Sequence, residues 1–142
     1  MLKREITYED FDGNPQTETF YFNLTMAEIV EYNVGFEGGL EDTIRKIIAT
    51  NNQKDLLVEF KRIILMSYGE RSEDGKRFIK SEELREAFAQ SAAYDALFVE
   101  LASNVDSLTM FITSIVPKDV AKEIYKQDKI AGVQLPPPPP AA

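Results

Sequence analysis

The chain has 142 residues, of which 44% are hydrophobic and 28% charged, and its formal net charge is −8. This composition is typical of a single soluble domain, whereas the negative charge disfavours binding to nucleic acid or to an anionic membrane surface. Cysteine and histidine are both absent from the sequence, which excludes disulfides, thiolate metal sites, thiol catalysis and Ser-His-Asp hydrolases.

A β-hairpin is predicted at the N-terminus. Residues 2–11 and 17–24 alternate in the period of two that is typical of half-buried strands. Between them, Asp12-Gly13-Asn14-Pro15 supplies the residue types that favour a turn. Because two strands alone are marginally stable, we expect the hairpin to pack on helices or to pair with another chain.

A short capped helix is predicted directly after the hairpin. Thr25 and Glu28 have the spacing of a capping box, in which each side chain bonds the backbone N–H of the other residue. We expect this helix to cover residues 26–32. Three glycines then favour a turn before the next helix (Gly35, Gly38 and Gly39).

Two further helices are predicted in the middle of the chain. Residues 40–49 form one of them, and the other is expected to begin at Asn51 or Asn52, each with apolar side chains at helical spacing. We expect the second to end near Tyr68, with Gly69 in the left-handed conformation that often follows a helix.

A charged loop, residues 70–77, is predicted to precede a long central helix. The apolar pair Phe78-Ile79 interrupts the polar sequence and is expected to be a short extended segment. Ser81 has the side chain of a helix N-cap, and acidic residues follow it in the first helical turn. The apolar pattern then predicts one helix that continues to about Ala102.

The C-terminal part is predicted to contain two shorter helices and a tail. The first helix is expected to start at Asn104 or Asp106, and the second to start at Pro117 and to fade at Lys129. Residues 130–142 include five consecutive prolines, which favour an exposed polyproline II segment. Such a run can be a ligand for an aromatic groove, but without flanking basic residues we favour a flexible end.

These elements predict an α+β fold that is mainly α. An N-terminal β-hairpin (residues 2–24) packs on a bundle of about five to six helices (residues 25–129). Residues 1–129 then form a single domain, and residues 130–142 a flexible Pro-rich tail.

The sequence offers no arrangement suited to catalysis or to a cofactor. Neighbouring acids such as Glu82-Glu83 are best explained as solvated faces. The loop around Gly75 fails the calcium-loop register, since Ser81 stands where a bidentate glutamate is required. The glycines before residue 40 lack the Lys-Ser/Thr of a phosphate loop. We therefore predict no enzyme, no cofactor and no metal site.

Two segments resemble the tail assembly chaperones of long-tailed, siphovirus-type bacteriophages of Gram-positive hosts. One is YGERSEDGKRFIKSEELREAFAQSAAYDALFVEL, and the other is the N-terminal KREITYEDFDGNPQTETFYFNLTMAEI. The resemblance covers about residues 3–101, extends only loosely over residues 102–134, and does not include the Pro-rich tail.

This resemblance implies a non-enzymatic assembly factor in the host cytoplasm. Such proteins bind the tape measure protein, keep it soluble, help to recruit tail tube subunits, and are absent from the mature virion. In many such phages a longer form arises by ribosomal frameshifting near the end of the short reading frame. The location agrees with the sequence, which has no apolar run near the roughly 18 residues of a spanning helix and no signal-peptide stretch.

Phe78 and Ile79 are the predicted partner-contact residues, because their polar surroundings do not explain an apolar pair. The alternative is that they fill space within the helical bundle. Self-association is also expected, since hairpin edges and apolar grooves can bind a second copy. A structural virion protein of the tail or connector is the second functional hypothesis, and an enzyme that uses carboxylates is the third.

Overall fold

The computed structural model describes residues 1–35, 38–50, 54–126, 129–130 and 133–134. Four strands form one antiparallel sheet in the order β1-β2-β3-β4, which are Leu2–Glu9, Pro15–Phe22, Tyr68–Arg71 and Phe78–Ile79. The described residues also contain seven helices, α1 to α7, which are Met26–Gly35, Gly39–Thr50, Lys54–Ser67, Glu82–Ala89, Ala92–Ser103, Val105–Ile115 and Lys118–Lys126. The predicted class, α+β and mainly α, is confirmed.

The predicted N-terminal hairpin is present as β1 and β2, paired from Leu2↔Phe22 to Glu9↔Pro15. Its turn begins earlier than predicted. The Asp10 carboxylate accepts hydrogen bonds from the backbone N–H groups of Asp12 and Asn14, at 3.0 and 2.9 Å. This side-chain turn ends the first strand at Glu9.

The hairpin is extended by two strands from the middle of the chain. Tyr21 pairs with Gly69, and β3 in turn pairs with β4. The prediction that Gly69 follows a helix in the left-handed conformation is therefore wrong. Helix α3 ends at Ser67, whose carbonyl accepts a hydrogen bond from the Asn23 N–H at 2.7 Å, and the chain continues as a strand.

The capping box at the start of α1 is confirmed. The Glu28 N–H donates to the Thr25 hydroxyl at 3.2 Å, and the Thr25 N–H donates to the Glu28 carboxylate at 3.0 Å. At the other end, Gly38 and Gly39 have positive φ angles of 79° and 70°, which form the predicted turn into α2. Helix α1 is one turn longer than predicted and ends at Gly35.

The predicted helix from Ser81 to Ala102 is two helices, which corrects that prediction. The Ser81 cap is confirmed, since its hydroxyl accepts the Leu84 N–H at 3.1 Å. A second cap follows at Ser91, whose hydroxyl accepts the Tyr94 N–H at 3.2 Å and donates to the Phe88 carbonyl. This break raises the helix count in the described residues to seven.

An aromatic cluster joins the sheet to the helices. The Phe22 ring of β2 lies 5.8 Å from Phe88 of α4 and 5.1 Å from Phe111 of α6. Tyr68 of β3 stacks on Phe88 at 4.2 Å. Helix α6 contributes six buried residues, and helices α2, α5 and α7 contact it. The core therefore lies between the sheet and the helical layer.

The C-terminal helix α7 is confirmed and is followed by a short antiparallel pair, Lys129–Ile130 with Val133–Gln134. This pair includes Ile130, Val133 and Gln134 of the segment that was predicted as a flexible tail. The proline run lies outside the described residues, so its flexibility stays a prediction. Among the residues described, no single helix is long and apolar enough to cross a membrane. Helices α5 and α6 pass that test only as a pair, and they bend by 115° where they meet.

Candidate partner-binding surface

The two predicted contact residues, Phe78 and Ile79, form β4 at one edge of the sheet. Both side chains are half-buried, and neither belongs to the hydrophobic core cluster of the described residues. The Phe78 ring lies against Gly69, where an added Cβ would be 2.8 Å from a ring carbon and from the Ile79 carbonyl oxygen. Glycine at position 69 therefore allows β4 to approach β3 closely.

A cleft of about 400 Å³ lies beside β4, lined by Thr25, Glu28, Arg77, Phe78, Ile79 and Lys80. Lys80 Nζ donates to the Glu28 carboxylate at 2.6 Å and to the Asn23 carbonyl at 2.7 Å. The same ammonium lies 5.5 Å from the centre of the Phe78 ring. Burial lowers the pKa of Lys80 although Glu28 opposes the change. These contacts fix β4 to the first turn of α1.

The carboxyl of Glu28 links the capping box to Lys80, and we expect a pH-dependent contribution to stability. Burial raises the pKa of Glu28, but hydrogen bonds from Lys80 and Thr25 outweigh burial and leave it below the usual 4.5. A carboxyl whose folded pKa is lowered stabilises the protein above its unfolded pKa, and this contribution is lost as the pH falls through the folded pKa.

Urea denaturation at about pH 6 and about pH 3 measures this contribution. The unfolding free energy should fall less in the Glu28→Gln variant than in the wild-type chain over that interval. Glu86→Gln on α4 is the control, because Glu86 is exposed and its side chain forms no ion pair with a described residue. An equal fall in wild type and Glu28→Gln would contradict the prediction.

An uncovered apolar stripe follows one side of α1. Met26, Val30 and Val34 lie one turn apart and are 50%, 56% and 86% exposed. Ile29 and Tyr32, on the adjacent core-facing side of the helix, are buried. The three exposed residues, here named the α1 stripe, are not needed to cover the core. Exposed apolar surface of this kind is typical of a contact with another protein.

A groove of about 670 Å³ lies on another side of α1, where α3 and α4 approach it. Val58 is 66% exposed, and Leu65 and Met66 are partly buried beside it. This surface is named the α1–α3 groove, and its lining is Glu28, Glu31, Tyr32, Val58, Lys61, Arg62, Leu65, Met66 and Arg85. The lining combines apolar and charged side chains, as protein interfaces do.

The tip of the β1–β2 hairpin carries an exposed aromatic residue. Phe11 is 85% exposed, and every residue from 11 to 19 is exposed. The Asp10 carboxylate fixes the turn, since it also accepts a hydrogen bond from the Gln16 side chain at 2.9 Å. The hydrogen bond from Gln16 has the largest effect on the pKa of Asp10, and together with the two backbone hydrogen bonds it lowers that pKa.

The shifted tyrosines do not indicate reactive groups. Burial raises the pKa of Tyr32 and of Tyr94 to about 12. The hydrogen bond to Glu18 raises the pKa of Tyr8 to about 12. All three therefore stay protonated near neutral pH. Within the described ranges, His, Cys, Asp and Glu side chains form no group of three that could hold a metal ion.

The fold and its uncovered apolar surfaces define a small α+β protein suited to contacts with other proteins. A protein-family model described as phage tail assembly chaperone matches residues 1–138. The chain therefore belongs to the phage tail assembly chaperone family, and the match extends beyond the segment, residues 3–101, that carried the resemblance. No curated protein and no solved structure matches the chain.

The sequence contained signals for the surfaces that were not predicted. Helix α1 carries apolar residues around most of its circumference, which exceeds what one core-facing side requires (Met26, Ile29, Val30, Tyr32 and Val34). Phe11 stands between two aspartates in a turn, where an apolar side chain has no local partner. The groove had no comparable signal, because its lining comes from three separate helices.

Proposed function

We propose that this tail assembly chaperone binds the tape measure protein, keeps it soluble and helps to recruit tail tube subunits. It does so by binding and without catalysis, in the cytoplasm of a Gram-positive host infected by a long-tailed phage. Family membership supports the general role. The α1 stripe is the observation that supports a client with apolar helical segments.

The α1 stripe has the geometry that an amphipathic helix needs. Its three side chains repeat every four residues, so a client helix with the same spacing can pack along α1 over the length of the stripe. Covering each apolar side chain contributes about 1.5–3 kcal/mol at most, and the freedom lost on association offsets part of this, so we expect a reversible interaction. The net charge of −8 on the chain itself favours its own solubility.

Copurification tests this proposal directly. An affinity-tagged tape measure protein, expressed together with the untagged chain, should retain the chain through washing and elute with it. An unrelated acidic protein of similar size, expressed in its place, controls for nonspecific retention. If the chain washes off as the control does, the tape measure protein is not its client.

The proposed role also requires that the chain leave before the particle is complete. Mass spectrometry of purified phage particles should detect the tape measure and tube proteins but not this chain. Its presence at stoichiometric amounts would instead support a structural virion protein of the tail or connector.

A further inference from the structure

We propose that an extended, basic segment of a partner protein adds to the sheet as a further strand beside β1, above the exposed side of α5. An extended chain binds to a strand edge mainly through backbone hydrogen bonds, and its alternate side chains give specificity. This site is formed by β1 and α5, so it is separate from the α1 stripe and takes a different kind of ligand.

The outer edge of β1 is uncovered in the single chain. Among the described strands, β1 pairs only with β2. The Asp10 N–H donates to the Asn14 carbonyl at 2.9 Å, so the hydrogen-bonded pairs of this hairpin are those of even-numbered residues. The Asn23 N–H agrees, since it donates away from β1, to the Ser67 carbonyl. The odd-numbered residues of β1 therefore direct their N–H and C=O groups outward, where no described residue bonds them (Lys3, Glu5, Thr7 and Glu9).

Helix α5 provides a surface on which an added strand can pack. A cleft of about 280 Å³ lies between β1 and α5, lined by residues 4–7 and by Ala96, Leu97 and Glu100. Val99 is three positions after Ala96, on the same side of the helix, and is 55% exposed. Because the side chains of a strand alternate, every second residue of the added segment would face Ala96 and Val99. We therefore expect apolar residues at alternate positions of the ligand.

The charge of the hairpin defines the other side of the ligand. Residues 5–19 contain five acidic residues and no lysine or arginine. Glu5 and Glu9 are exposed and form no ion pair with a described residue, whereas Arg4 is paired with Glu100. Side chains directly opposite each other on neighbouring strands lie about 5 Å apart, and opposite charges there are stabilising. Lysine or arginine is therefore expected at the solvent-facing positions of the ligand.

Two occupants from this chain fit the edge less well. The proline run, residues 136–140, cannot form the added strand because proline has no N–H to donate. A second copy of the hairpin would bring five more acidic residues beside the first five, which is electrostatically unfavourable. A basic segment of another protein matches both the backbone edge and the charge.

A proline substitution at Thr7 tests the edge without removing a hydrogen bond of the hairpin. The Thr7 N–H faces outward, so Thr7→Pro should leave the hairpin paired and block strand addition. Thr7→Ala is the matched control, since both variants lose the hydroxyl contact with Thr17 but alanine keeps the N–H. The probe is a labelled peptide of about nine residues that alternates valine with lysine. Fluorescence anisotropy should show that Thr7→Pro binds it at least about tenfold more weakly than Thr7→Ala.

Amide hydrogen exchange shows whether the peptide binds as a strand. In the free wild-type chain, the amides of Glu5 and Thr7 should exchange faster than those of Ile6 and Tyr8, which bond across the hairpin. Saturating peptide should slow the exchange at Glu5 and Thr7 selectively. This measurement uses the wild-type chain, so it decides the question even if Thr7→Pro does not fold.

The charge of the peptide provides the last control. A peptide with glutamate at every lysine position should bind the wild type at least about tenfold more weakly. The proposal is overturned if the basic peptide does not bind below about 1 mM, if both peptides bind equally, or if Thr7→Pro and Thr7→Ala bind alike. It is also overturned if the amides of Glu5 and Thr7 are already protected in the free chain, because the edge is then covered. None of these results depends on the tape measure protein.

Discussion

Replacing Phe22 with alanine should lower the unfolding free energy by about 3–5 kcal/mol, the largest loss of stability that we expect from a single substitution in this chain. Phe22 is fully buried, and its ring contacts aromatic rings from β3, α4 and α6. Removing it leaves a cavity where the sheet meets the helices. Because domains of this size are stable by only about 5–15 kcal/mol, this substitution should remove a large share of the stability.

Urea denaturation followed by circular dichroism measures the loss. Phe11→Ala is the matched control, since the same side chain is removed from an exposed position and should cost no more than about 0.5 kcal/mol. If Phe22→Ala does not accumulate, Phe22→Leu provides a milder substitution with a smaller expected loss. Equal stabilities of the Phe22 and Phe11 variants would contradict the described core.

The helix caps could be predicted because their hydrogen bonds are local. The bonds at Thr25, Ser81 and Asn104 join residues two or three positions apart, so the sequence contains both partners. Ser91 is equally local, but the apolar pattern continues across it. The pattern therefore predicts one helix where the structure has two.

The third strand could not be predicted from local pattern. Tyr21 and Gly69 pair across 48 positions, and each segment alone fits more than one structure. A glycine after an apolar helix is typical of a C-terminal cap, whereas here it admits the Phe78 ring. That distinction depends on which strand lies alongside, and only the folded chain determines this.

The predicted contact pair could be found from the sequence, whereas the exposure of the α1 stripe could not. The polar neighbours of Phe78 and Ile79 distinguish this apolar pair in the sequence, and in the structure the two residues lie beside Lys80. Their role in binding stays a prediction. Exposure of the α1 stripe depends on which elements pack against α1, so sequence pattern alone could not separate its core side from its outer side.

The second large effect should come from the α1 stripe. Val30→Glu combined with Val34→Lys places a charge pair at the favourable i, i+4 spacing and leaves the net charge unchanged. Glutamate and lysine are better helix formers than valine, so α1 should remain folded. A client helix would then have to bury two charges in place of two apolar side chains, and binding should weaken at least about a hundredfold.

Thermal unfolding and circular dichroism should show that this double variant is as stable as the wild type, within about 1 kcal/mol. A folded variant with lost function would place the defect in binding rather than in stability. Phe11→Ser is the companion control, because the hairpin tip is separate from the α1 stripe and its loss should leave client binding unchanged.

Coexpression with the tape measure protein is the measurement that tests the central claim most directly. The fraction of tape measure protein in the soluble lysate is compared when it is expressed alone, with the wild-type chain, with the Val30→Glu/Val34→Lys variant and with Phe11→Ser. We predict a large soluble fraction with the wild type and with Phe11→Ser, and no gain over expression alone with the α1-stripe variant. A tape measure protein that is no more soluble with the wild-type chain than without it would contradict the proposed function. Equal solubility with the wild type and the α1-stripe variant would contradict the assigned surface.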